Sequence, residues 1–381
     1  MTKANFRGPL VIIIPPREKF RPADAGAIAL TVRDFFLASK WRRNSIVFGG
    51  SHGGFEGVRY EAVPMSRVKI FGLTYSYISS CIDRIRLIKP SVVEVHNRIN
   101  IALSIKKAFP NLRVIFYCHN DPLGMSFLST PEERRLAVAS LDGFFCVSNF
   151  VRNRLIDGID SANINKVHVV YNPVEISPGT DVAMRQKRIV FAGRVVELKG
   201  VRELAIALAQ VLPANPNWRA VFLGASGFGR IAGSTDYERN VYSILEGCRD
   251  QVEFRGHVSH REVIEVFKDA RITVAPSVGV EAAGRSPLEA MSRGCAAVLS
   301  RSGGMVEIAG EAAILVDPTT PEAIASALLP LMHDEMLLRQ VSARCIEHVR
   351  QAFALGVIVK RLDKLREAIG ADPANLDGEL L

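Results

Sequence analysis

The sequence predicts an α/β chain of two doubly wound domains, each a parallel sheet with helices on both faces. Three observations carry that prediction. Short apolar runs of four to six residues alternate with stretches of helical spacing along most of the chain. The alternation occurs twice, in two arrays of similar length. A polar, turn-rich stretch, ISPGTDVAMRQK at 176–187, parts the arrays and reads as a linker. The expected domains are therefore 1–175 and 176–354.

LVIII (10–14), SIVFG (45–49), VVEVH (92–96), VIFYC (114–118) and FFCVS (144–148) are rich in β-branched and aromatic residues. Such near-continuous apolar runs mark strands buried on both faces. Between the first two, DAGAIALTVRDFFLAS (24–39) carries helical spacing, with Asp24 a possible N-cap. The pattern restarts at VHVVYNP (167–173). The second series is RIVFAG (188–193), AVFLG (220–224), VEFRG (252–256), ITVAP (272–276), AAVLS (296–300) and ILVD (314–317). A helical stretch from about 335 to 369 follows, and a helix near 355–375 is expected to pack back on the first domain. The tail ADPANLDGELL is expected to fray. Ligands of doubly wound sheets lie beyond the carboxyl ends of the strands, so the turns after these runs are where chemistry is sought.

Composition narrows the classes. With 381 residues, 48% of them hydrophobic, the chain can build large cores. A formal net charge of +9 suits a nucleotide, a nucleic acid or an acidic membrane surface, or is simply a solvated basic face. Aromatics make up 7% and no basic run alternates with them, which argues against a nucleic-acid binder. Six cysteines without a CxxC pair read as reduced core residues. The apolar run before Pro15 and Pro16 is too short for a signal-peptide core, and no run reaches the ~20 residues of a membrane span. A cytoplasmic protein is expected, with peripheral contact to an acidic inner membrane as an option. MSFLSTPEERRLAV (125–138), with Arg134 and Arg135, is either a helix lying on such a bilayer or an ordinary amphipathic surface helix.

Two stretches carry the chemistry. After RIVFAG comes GRVVELKG, where Gly193 and Arg194 end a strand and Lys199 and Gly200 open a helix. Two cations beside free helix N–H groups make an anion site, unless both are merely solvated on a loop. The second stretch, VEAAGRSPLEAMSRG (280–294), holds Glu281 and Glu289 with seven residues between them. Ser286 and Glu289 fit a capping box with Pro287 at the first helical position. That reading leaves Glu281 and Gly284 unexplained. Carboxylates suit sugar hydroxyls and cations suit phosphates, so the two stretches together describe a nucleotide-sugar pocket. No D-x-D, HExxH or histidine cluster calls for a metal. The glycines of GASGFG (224–229) lack the spacing of a dinucleotide fingerprint, which argues against a nicotinamide oxidoreductase.

At these residues the chain resembles the family-4 (GT4) retaining glycosyltransferases of the GT-B fold, with two Rossmann-like domains facing a cleft. GRVVELKG followed by PSVGVEAAGRSPLEAMSRG looks like that family's E-x7-E signature. The resemblance implies that Arg194 and Lys199 neutralise the donor diphosphate, in place of a metal. It gives Glu281 the donor sugar, Glu289 the ribose hydroxyls, and the backbone around Gly284, Arg285 and Ser286 the sugar and phosphates. RGHV (255–258) matches the loop that reads the base, through His257 or Val258. Many relatives carry GFG where this chain has Ala282, Ala283 and Gly284, and apolar residues at Arg285 and Ser286, a departure that bears on donor choice. VEVHN (93–97) and FYCHNDP (116–122) resemble enzymes of bacterial lipopolysaccharide core and surface polysaccharide assembly. There His119 matches a histidine near the transferring centre, although His96 and His119 also fit loop-anchoring roles. Gly26 matches a first-strand loop that approaches the donor phosphate or the acceptor. The implied function is transfer of a hexose-type sugar, with retention, from a UDP- or GDP-linked donor to a lipid-linked or polysaccharide acceptor. No metal cofactor and no nucleic acid are implied. A nucleotide-sugar epimerase of the same fold and a basic nucleic-acid-binding protein are the competing readings.

Overall fold

Every pairing between the named strands is parallel, in two separate sheets. The computed structural model describes residues 8–64, 73–159, 161–227 and 233–370. Among them the chain divides into two units. One runs to Pro173 and resumes at Leu355, and the other is Val174–Ala354.

The first unit contains β1 (Leu10–Ile13), α1 (Ala27–Ala38), β2 (Ser45–Gly49), β3 (Tyr60–Ala62), α2 (Leu73–Ile88), β4 (Val92–His96) and α3 (Ile99–Ala108). It continues with β5 (Arg113–Cys118), α4 (Pro131–Ser140), β6 (Gly143–Cys146), α5 (Asn149–Ile156) and β7 (Val167–Val169). Its strand order is β3-β2-β1-β4-β5-β6-β7, so the winding reverses between β1 and β4. The central strands are buried along their whole length because helices cover both faces. A later helix, α13 (Leu355–Gly370), packs against α1 and buries Ile358, Val359, Leu362 and Arg366.

The second unit holds β8 (Gln186–Ala192), α6 (Val201–Val211), β9 (Arg219–Leu223), α7 (Asp236–Ile244), β10 (Val252–Phe254), α8 (His260–Asp269) and β11 (Ala270–Ala275). Then come α9 (Arg285–Ser292), β12 (Ala296–Ser300), α10 (Met305–Ala309), β13 (Ile314–Val316), α11 (Pro321–His333) and α12 (Glu335–Ala352). Its order is β10-β9-β8-β11-β12-β13, so the winding reverses between β8 and β11. Val190, Val221, Leu223, Phe267 and Ala270 form a closed apolar cluster under the sheet. Burial of each large apolar side chain of this kind is worth about 2 kcal/mol. All six cysteines are free and buried, in keeping with a reduced core.

Several local expectations are corrected. Asp24 does not cap α1. Gly26 is the N-cap, and Asp24 is held by Arg21 at 2.7 Å and 2.8 Å. The stretch 125–138 is not one helix. α4 starts only at Pro131, behind a Thr130–Glu133 capping box. Its Arg134 is buried and donates to the carbonyls of Leu128, Ser129 and Asp157, so it is no membrane-facing cation. The stretch 176–187 is not a free linker: a 3-10 turn at Val182–Met184 and the first residues of β8 lie in it, all in the second unit. The tail 371–381 and the end of GASGFG lie outside the described residues.

Candidate active site

In the second unit the winding reverses at β8 and β11, and a crevice for ligands opens at such a switch point. The loops leaving the carboxyl ends of these two strands are the stretches that carry Arg194, Lys199 and Glu281. After β8 the chain turns through Gly193, whose N–H donates to the Leu223 carbonyl at 2.9 Å. Arg194 follows, exposed, and its guanidinium has no partner among the described residues. A 3-10 turn, Glu197–Lys199, then delivers the chain to Gly200, which caps α6 at φ +64°. Only glycine fits there: a Cβ would stand 1.8 Å from the Pro276 carbonyl oxygen. The close approach ties the two loops together, and Gly279 adds an N–H bond of 3.0 Å to the Leu198 carbonyl.

The tie brings Lys199 onto Glu281. The ammonium of Lys199 bonds Oε1 of Glu281, and the hydroxyl of Ser277 donates to the same oxygen at 2.6 Å. Glu281 is buried, and its own carbonyl accepts the Gly304 N–H at 2.7 Å. The carboxylate is thus fixed at both backbone and side chain, with Lys199 as its counter-charge.

Glu289 occupies a different environment from the expected cap. α9 begins at Arg285 with Gly284 as N-cap, and no side chain caps it. Ser286 sits inside the helix, so the Ser286–Glu289 capping box is not formed. Glu289 instead accepts from Arg285 Nε at 2.7 Å, one helical turn away, and bonds His260 Nε2 at 2.8 Å. Burial pushes its carboxyl up, but Arg285 and His260 outweigh that and hold its pKa below the ordinary range. A Cβ at Gly284 would meet Pro287 at 2.7 Å and Met305 at 3.0 Å, which keeps this turn narrow.

The base-reading candidates are placed nearby. Gly224 and Gly256 form an isolated bridge, with the Gly224 N–H on the Gly256 carbonyl at 2.7 Å. Val258 packs on the core cluster. His257 is half-buried between them. His260, three residues after His257, is the one that reaches Glu289.

Gly26 and His119 belong to the first unit. Glu18 Oε1 accepts the α1 N–H of Ala29 at 3.2 Å, next to Gly26, so a carboxylate already serves part of this helix start. Burial raises the Glu18 pKa. His119 follows β5 and is half-buried. Its Nε2 lies 2.8 Å from Nδ1 of His96, and Nε2 of His96 lies 2.8 Å from Oε1 of Glu94. Arg366 of α13 closes the line with bonds of 2.8 Å and 2.9 Å to Glu94. Burial pushes the Glu94 carboxyl up, yet Arg366 and His96 bring its pKa down to about 2. Burial pushes both imidazoles down, His119 well below its ordinary value, with His96 adding to the effect. The Tyr117 ring covers both, at 4.8 Å from His96 and 4.5 Å from His119. Asn97, at φ +54°, turns the chain after β4 and accepts the His119 N–H at 3.2 Å.

Sequence reasoning passed over His260, Glu94 and Arg366. An acidic residue inside the apolar run VVEVH was a usable signal for Glu94. Its partner lies 272 residues away, and no local spacing reveals that.

Comparison with known proteins agrees with this layout. The family model described as Glycosyl transferases group 1 matches residues 175–352, and the one described as Glycosyltransferase Family 4 matches residues 39–177. YtcC of Bacillus subtilis (strain 168) is 23% identical, over 82% of this chain and 79% of its own. The lipopolysaccharide core biosynthesis mannosyltransferase LpcC of Rhizobium leguminosarum bv. viciae is 30% identical, over 49% of this chain and 50% of its own. Among solved structures, Anabaena HepE in complex with UDP-glucose superposes with a TM-score of 0.74 at 16% identity, covering 94% of this chain and 99% of that one. Sucrose-phosphate synthase from Thermosynechococcus elongatus gives 0.77 at 17% identity, over 95% and 99%. With the two parallel sheets and the two matched models, which together span residues 39–352, in agreement, the chain belongs to the group 1, family 4 glycosyltransferases of the GT-B fold.

Proposed function

We propose that the chain transfers a hexose-type sugar, with retention of anomeric configuration, from a UDP- or GDP-linked donor to a lipid-linked or polysaccharide acceptor. The setting proposed is bacterial lipopolysaccharide or exopolysaccharide assembly, at the cytoplasmic face of the membrane. The observation that carries this reading is the knot of Lys199, Ser277 and Glu281, tied across the loop that also holds the exposed Arg194. In this reading the buried carboxylate serves sugar hydroxyls and the cations serve a diphosphate, in loops that leave the switch point of one sheet. LpcC and the UDP-glucose complex of HepE lend support as relatives.

In the proposed reaction the anomeric C–O bond to the diphosphate breaks and a bond to the acceptor oxygen forms on the same face. The departing phosphate oxygen takes the acceptor's proton. Arg194, Lys199 and the α6 start stabilise the leaving charge without a metal. Glu281 anchors hydroxyls and balances the charge that develops on the sugar, rather than attacking it. Glu289 takes the ribose hydroxyls and the 255–258 loop the base. Membrane contact would be peripheral, since no helix among the described residues is long and apolar enough to cross a bilayer.

Thermal midpoints with UDP, GDP, ADP and NAD test the reading, because a ligand of the folded state raises stability by mass action. A rise with one nucleoside diphosphate, lost in Arg194→Gln, is expected. A response to NAD alone would sink the proposal. Product anomer, read by proton NMR, tests retention.

A further inference from the structure

Arg366, Glu94, His96 and His119 form one line of hydrogen bonds, and chemistry fixes its direction. Arg366 is a donor only, so both Glu94 oxygens accept from it, at 2.8 Å and 2.9 Å. Glu94 is fully buried and held ionised, so His96 must point an N–H from Nε2 at it. A neutral imidazole has one donor nitrogen and one acceptor nitrogen. Full burial and the nearby Arg366 keep His96 neutral, so its Nδ1 carries a lone pair. That atom lies 2.8 Å from His119 Nε2, which must supply the hydrogen. The same rule then leaves a lone pair on Nδ1 of His119, an atom with no hydrogen bond among the described residues. Ring centroids 5.0 Å apart at 29° suit an N–H···N bond lying near both ring planes. Tyr117 stacks on the two imidazoles, with its hydroxyl anchored 2.5 Å from the Val170 carbonyl, and prevents either ring from turning.

We infer that Arg366, Glu94 and His96 are positioning residues that lock His119 in its Nε2–H form and present Nδ1 as an acceptor for a substrate hydroxyl. A lone pair repels a phosphate oxygen, so this end of the line suits a neutral hydroxyl and not the diphosphate. The inference rests on the transferase reading only for what bears that hydroxyl, a sugar. The tautomer itself does not depend on it.

Nitrogen-15 NMR of histidine-labelled protein at neutral pH reads tautomers directly, with His119→Gln identifying the resonances. Expected are a protonated Nε2 and a lone-pair Nδ1 on His119. In Glu94→Gln the amide can donate to His96, so the His119 tautomer is expected to mix or invert. kcat should fall about tenfold there with little change in KM, the weight of one hydrogen bond to a charged group. An Nδ1–H form in the unaltered protein overturns the inference, whether or not Glu94→Gln folds. An unchanged tautomer in folded Glu94→Gln overturns it too. The spectrum needs no donor, so the Nε2–H form in a protein that transfers no sugar would sink the transferase reading and leave this one standing.

Discussion

Single residues set the site's tolerances. Gly200 combines a left-handed backbone with the carbonyl of Pro276 where its Cβ would be. Gly200→Ala is therefore expected to cost about 2 kcal/mol or more, read as a lower urea midpoint. Glu289→Gln removes a buried carboxylate that is paired with the buried Arg285. A loss of about 3 kcal/mol is expected, from breaking a buried ion pair on one side. If the variant unfolds at the parent's midpoint, the Arg285–Glu289 pair contributes nothing net. The E-x7-E spacing made both glutamates legible in the sequence. Their surroundings were not. S-x-x-E is the local grammar of a helix cap, and the structure spends Glu289 on Arg285 and His260 instead, the latter from another helix.

At the scale of elements, the long buried strands were legible because parallel strands covered on both faces leave no polar alternation. β3 escaped notice because it is three half-buried residues, YEA, with no apolar run. The start of α9 was misplaced by two residues for the reason just given. α13 is an amphipathic helix in the sequence, and what makes it matter is the Arg366–Glu94 contact. Arg366→Leu would strand the Glu94 charge in the core, with an expected cost of about 3 to 5 kcal/mol. Replacing both with leucine should recover much of that loss. A double-mutant cycle measured by chemical unfolding decides the matter, and additive single costs would show the pair to be uncoupled.

For the molecule as a whole, acid is the revealing stress. His96 and His119 have folded pKa values below their ordinary 6.5. As pH falls through about 6.5 the unfolded chain takes up protons that the fold refuses, so stability held at neutral pH is lost on the acid side. Thermal midpoints at pH 7.5 and about 5.5 should differ, and His119→Gln should flatten the slope. Equal slopes in parent and variant would exclude His119 as a source. The return of the chain at Leu355 has a consequence for synthesis. A nascent chain shows Glu94 to the solvent long before Arg366 has been made, and the whole of Val174–Ala354 emerges between them. A chain growing from the ribosome can therefore finish its second unit while the first still lacks the cation for its buried carboxylate. The His119 imidazole is oriented last, after translation has passed Arg366.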